Sequence, residues 1–164
     1  LGTGFNLSYA FSRRDVNVDD IGDRFKELRR DGYLHRAILE YDFRLDQTLT
    51  LSPDFELSVG DIDGEANAYT GYRFGLGLRK FSESCQLMLK AAVGRNDYDD
   101  QHPIFSKTRD DTNYSVFGMF TRPNLFGVDY LFGTLMAGYR YRDSNIGFLN
   151  AQTFVSGAMI GVEF

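Results

Sequence analysis

The sequence holds one cysteine, three prolines and no tryptophan, and it has no apolar run long enough for a helix to cross a membrane. The lone Cys85 permits no internal disulfide, and paired Cys/His spacings of the kind that bind zinc are missing. Asp61, Asp63 and Glu65 in GDIDGEAN lack the register of an EF-hand loop, so no metal and no cofactor is expected. A basic patch is missing too. The formal charge of -5 is spread along the chain, which argues against nucleic acid as a partner. The two histidines, His35 and His102, stand beside no His-x-Ser pattern, so no catalytic residues are assigned and no enzyme is expected. The chain begins at Leu1 without a signal peptide. It is expected to be a mature protein or an excised piece whose targeting segment has gone.

What the chain does have is 15 phenylalanines, 10 tyrosines and 17 glycines, a composition that suits sheet and turns better than helices. Its mean hydropathy is only -0.32. That value leaves room for a membrane barrel, whose strands need lipid-facing side chains only at alternate positions.

Eight segments alternate with a period of two: Gly4–Arg13, Tyr33–Leu45, Thr48–Val59, Ala68–Arg79, Ser84–Gly94, Thr112–Thr121, Asp129–Arg142 and Gln152–Phe164. In each, one face is apolar and aromatic, as in Phe5, Leu7, Tyr9 and Phe11, or Phe154, Ala158, Ile160 and Phe164. That face is read as free of charge in all eight, with His35 near one end its only imidazole. The other face carries Arg36, Glu40, Asp42, Arg44, Asp54, Glu56, Arg73, Lys90, Arg140, Arg142 and Glu163. Both signs occur there in quantity, so these side chains are expected to pair across a narrow lumen. Pro53 is awkward within a ladder and predicts a bulge or a local break. The glycines of the fourth segment, Gly71, Gly75 and Gly77, are expected to leave room beside large inward side chains.

The connections Arg14–Gly32, Gly60–Asn67, Arg95–Asp111 and Asp143–Ala151 read as long and polar, and those between them as short. Within the first, a short amphipathic helix through Phe25 and Leu28 is conceivable. This rhythm predicts an all-β, eight-stranded antiparallel up-and-down transmembrane β-barrel, one domain over residues 1–164, in the outer membrane of a Gram-negative bacterium. The competing arrangement is a soluble barrel of the lipocalin kind, with the aromatic set inside. Closure in lipid requires the last strand to pair with the first if the barrel is complete.

Two further stretches carry a resemblance. HPIFSKTRDD holds Pro103, Ile104, Phe105, Lys107, Thr108, Arg109 and Asp111, and RDSNI holds Arg142, Asp143, Ser144, Asn145 and Ile146; the chain then ends in IGVEF. From about Tyr72 to Phe164 this pattern resembles the C-terminal barrel of Gram-negative outer-membrane proteins related to the surface lipoprotein assembly modifiers. The resemblance implies that the first stretch is an extracellular loop and that Phe164 is the signal read by the barrel-assembly machinery. Barrels of that family are larger and follow periplasmic tetratricopeptide repeats. The chain is therefore either a compact relative or the last part of a larger barrel. The expected function is a structural or binding component of a cell-envelope assembly, in contact with outer-membrane lipid, lipopolysaccharide and an envelope protein partner. The alternative is part of a larger barrel that exports or transports a protein or a small solute.

Overall fold

The structure, a computed structural model, describes residues 3–16, 24 and 26–162. Eight strands run in chain order: β1 (Thr3–Arg14), β2 (Gly32–Arg44), β3 (Leu49–Ile62), β4 (Tyr69–Phe81), β5 (Gln86–His102), β6 (Lys107–Pro123), β7 (Leu131–Ser144) and β8 (Ala151–Val162). They form one antiparallel sheet in which each strand pairs with its neighbours in sequence. The chain is nearly all β. Three short 3-10 turns, Lys26–Leu28, Leu125–Gly127 and Gly147–Leu149, sit in the connections.

The register aligns like faces across the whole sheet. One row runs Leu7, Leu39, Phe55, Phe74, Val93, Tyr114, Tyr141 and Gln152; the next runs Asn6, Glu40, Asp54, Gly75, Ala92, Ser115, Arg140 and Thr153. A slip of one residue in any strand would mix the two sets, so the alternation itself fixes the pairing.

The sheet is curled, because single clefts on the polar side are bordered by residues from β2 to β7 and, at one rim, by Ser12 and Arg14 of β1 with Arg142 of β7. The apolar set lies on the convex side and is exposed, while Ser52, Asp54, Ser58, Asp111, Thr134 and Ser144 are buried. The soluble arrangement with the aromatics inside is therefore not the one adopted. β1 is laddered to β2 and β8 to β7, and no β1–β8 ladder occurs among the described residues.

Pro53 does break a ladder, on one side only. The β2–β3 pairing runs from Glu40–Asp54 to Phe43–Leu51 without Tyr41 and Asp42, in unchanged register, whereas Pro53 keeps its place opposite Leu76 on β4. A residue without an N–H costs a ladder bond on the side its nitrogen faces and leaves the other intact.

The expected loop rhythm needs correction. Arg95–Asp111 is not a loop: β5 and β6 continue as a hairpin arm paired out to His102–Lys107, with a register shift between Asp97 and Gln101. Arg95 pairs with Asp97 on its own strand and with Asp110 across the arm, so opposite charges meet within the ladder. β3 likewise extends to Ile62, leaving only residues 63–68 as its turn. Gly60 permits this extension, since a Cβ there would lie 2.5 Å from the ring of Tyr69. The two ends of the sheet thus differ more in strand reach than in loop length.

At that rim the first connection is docked on the β3–β4 turn. Asn67 donates its side-chain amide to the Leu28 and Arg29 carbonyls (2.8 and 3.0 Å), and the Ala66 N–H donates to Glu27 (3.0 Å). Leu28, Ala66 and Ala68 are buried there. Phe25, half of the conceivable amphipathic pair, lies outside the described residues, as do Glu163 and Phe164. At the opposite end Asp46 caps the β2–β3 turn, accepting from the N–H groups of Thr48 (2.6 Å) and Leu49 (2.8 Å). These bonds, Thr48 first, hold its carboxyl below the ordinary value.

Candidate functional site

The polar face is organised around Asp54. Its side chain is completely buried, 2.8 Å from an Arg73 amine and 2.9 Å from Lys90 Nζ. Both contacts are ion pairs, and they are the partners that its two oxygens have among the described residues. Arg73 also donates through Nε and Nη2 to Glu56, which reaches Arg36 at 3.0 Å. The result is a chain of charges crossing β2, β3, β4 and β5. Gly75 makes it fit, because a Cβ at that position would lie 2.3 Å from an Asp54 oxygen. Gly71 similarly yields space to Ser58 and Asn96.

A second group joins Asp42 to Ser52 and to Arg79 at 2.5 Å. Arg79 was not in the expected set. It stands at the same parity as Arg73 on β4, and that parity alone identifies it as inward. Of the expected residues, Glu40, Arg44 and Arg140 enter no ion pair among the described residues. The register gives the reason for Glu40, which faces Asn6 on one side and Asp54 on the other, neither of them a cation.

The concave set as a whole carries Arg14, Arg36, Arg44, Arg73, Arg79, Lys90, Arg109, Arg140 and Arg142 against Glu40, Asp42, Asp54, Glu56 and Asp111. Mutual neutralisation, as expected from sequence, is therefore incomplete. A chain of net acidic charge turns a net basic face inward.

At the rim the two stretches singled out in the sequence come together. Pro103, Ile104 and Phe105 form the β5–β6 turn, while Lys107, Thr108, Arg109 and Asp111 lie on β6. Phe105 packs near the rings of His102 and Phe148, with centroids 4.8 and 6.1 Å away. Lys107 Nζ donates to the Asn145 carbonyl at 2.9 Å, and Asn145 Nδ2 donates to the Thr108 carbonyl at 2.8 Å. Asn145 Oδ1 in turn accepts from the Asp110 N–H at 3.1 Å. One asparagine thus ties the β7–β8 connection to the β5–β6 arm.

Beneath these contacts Asp111 is fully buried. Arg109 holds it in a bidentate pair, Arg142 approaches to 3.9 Å, and the Tyr98 hydroxyl donates to it at 3.4 Å. The Arg109 guanidinium lies 4.3 Å over the Tyr98 ring. Burial raises the Tyr98 phenol to about 12, so the hydroxyl remains a donor. Nearby, burial and then Arg109 hold the His102 imidazole below its ordinary value.

The convex side has the opposite character. Phe5 is 67 % exposed, Leu135 61 % and Ile160 68 %, and the residues between them form a continuous apolar surface. Its ionisable member, His35, accepts from or donates to the Tyr9 hydroxyl at 2.6 Å. Charges of the outward set include Lys80 and Arg122 towards one rim, Arg13 and Asp61 towards the other, and Arg95, Asp97 and Asp110 where the β5–β6 arm leaves the rest of the sheet.

A family model described as protein of unknown function (DUF2860) matches residues 1–164. No curated protein and no solved structure matches the chain.

Proposed function

The chain belongs to the DUF2860 family, and from its two surfaces we propose that it serves as a non-enzymatic β-barrel component of a Gram-negative outer membrane. The observation that carries this reading is the inversion of the sheet: large apolar side chains exposed on the convex face, ion pairs buried on the concave one. Water would penalise so large an exposed apolar surface, whereas lipid would cover it. On β3 the uncharged outward set runs from Leu49 to Val59. At about 3.3 Å per residue and a tilt near 45°, that stretch rises roughly 25 Å, the height of the apolar band of an outer-membrane barrel.

In this reading the convex side contacts outer-membrane lipid and lipopolysaccharide, the barrel-assembly machinery inserts the chain, and the Asn145-tied rim faces an envelope protein partner. The resemblance of the rim stretches to lipoprotein assembly modifier barrels is consistent with such a partner. A second reading, a section of a wider barrel that transports a solute or protein, is favoured by β1 and β8 each having one ladder among the described residues.

Leu135, 61 % exposed in the middle of β7, supplies the test. Leu135→Arg is expected to cost about 2–4 kcal/mol of folding free energy in lipid vesicles, measured by urea titration. A cost near zero would remove the membrane reading.

A further inference from the structure

At the rim, the curl of the sheet leaves a cleft of about 420 Å³ on the concave side. Arg14, Arg30, Arg109 and Arg142 line it together with Tyr69 and Tyr98, and there is no carboxylate among the described lining residues. Asp111, behind the cleft, is shared between Arg109 and Arg142, so a single negative charge answers these two guanidiniums. Arg14 enters no ion pair among the described residues. The basic character is local. The chain as a whole is net negative, at -5.

The geometry also orients these cations. Arg109 is fixed by its bidentate pair with Asp111 and by the Tyr98 ring beneath it, and Arg142 by donating Nε to the Leu149 carbonyl at 2.9 Å. Held guanidiniums lose little freedom when they capture a ligand, and their planar forks match the oxygens of phosphate and carboxylate. Tyr69 borders this cleft and also the next one along the face, where Arg36, Arg73 and Arg140 stand with Glu56 as the carboxylate. The positive surface therefore continues inward from the rim.

We propose that the rim cleft is a binding site for a multiply charged oxyanion, of phosphate or carboxylate type. The cleft holds such an anion whether or not the convex face meets lipid, so this reading and the membrane reading fail separately. Two sources present that chemistry at a cell envelope: a soluble solute on the concave side, and the phosphate groups of lipopolysaccharide.

The test uses the full chain folded in detergent, with inorganic pyrophosphate as the probe and calorimetry as the readout. Saturable binding is expected. Arg14→Gln should weaken it about tenfold, the loss of one charged hydrogen-bond partner. Arg14→Lys should fall between, and Arg122→Gln on the convex face should leave the affinity unchanged. Arg142→Gln should weaken binding further; because it also loosens Asp111, Arg14 carries the decision if that variant does not fold. Micelles doped with lipopolysaccharide should displace pyrophosphate if headgroup phosphates are the source, and fail to do so if the ligand is a soluble anion. Absence of saturable binding, or an Arg14→Gln chain that binds as the parent does, would overturn the proposal.

Discussion

Asp54 and Glu40 carry the same charge at paired positions of adjoining strands, yet the sheet treats them differently. Asp54 is enclosed by Arg73 and Lys90 with Gly75 making room, whereas Glu40 has no cation within reach among the described residues. Removing Asp54 leaves Arg73 its Glu56 partner and Lys90 part-exposed, so Asp54→Ala is expected to cost about 1–2 kcal/mol. Glu40→Ala should stay within about 0.5 kcal/mol. Urea midpoints of the folded chains measure both, and equal costs would mean that burial of Asp54 is not what stabilises the face. Sequence placed both residues on the polar side correctly, because parity is local. It did not give their partners, which depend on what the neighbouring strand sets opposite, and it passed over Arg79 in a strand whose inner row is mostly glycine.

The β5–β6 arm is the element in which charge misled the sequence reading most. Arg95, Asp97, Arg109 and Asp111 read as loop residues because isolated charges favour water, but Arg95 lies two residues from Asp97 and diagonal to Asp110, and Arg109 two residues from Asp111, so each cation meets a carboxylate. The eight strands and their faces were legible from the period of two alone. The reach of the arm was not, since it rests on pairing between residues far apart in the sequence. At the tip, His102 Nδ1 accepts the Ile104 N–H at 3.3 Å, a bond that needs the neutral ring. The lowered imidazole value means that stability from this group is complete above its ordinary value near ~6.5 and is lost as pH falls through the lowered one. Titrating the Ile104 amide by NMR should give a midpoint below that ordinary value, and His102→Gln should remove the transition. A midpoint above it would contradict the account of the tip.

At the scale of the whole molecule, the outer sides of β1 and β8 carry no ladder among the described residues. Backbone groups left unpaired in lipid are costly, so in a membrane these edges meet each other or further strands. An eight-stranded barrel closed on itself is filled by its side chains, here Arg73, Glu56 and their neighbours, and should conduct little. Planar bilayers separate the two cases. Discrete conductance steps from the purified chain are the outcome expected of a wider pore, and a silent bilayer at every protein concentration is the outcome expected of β1–β8 closure. Sequence left the same choice open, because alternation identifies a face without counting the strands that complete a wall.

Every ladder in the sheet joins consecutive strands. Apart from any β1–β8 closure, these pairings are local, so loop-closure entropy is met in small increments, one hairpin at a time. The β5–β6 arm, with 17 residues in each strand and its turn confined to residues 103–106, is the longest of these hairpins and the natural nucleus. Growth then proceeds outward in both directions, and β1 and β8 are the last strands to be laddered to their neighbours in sequence.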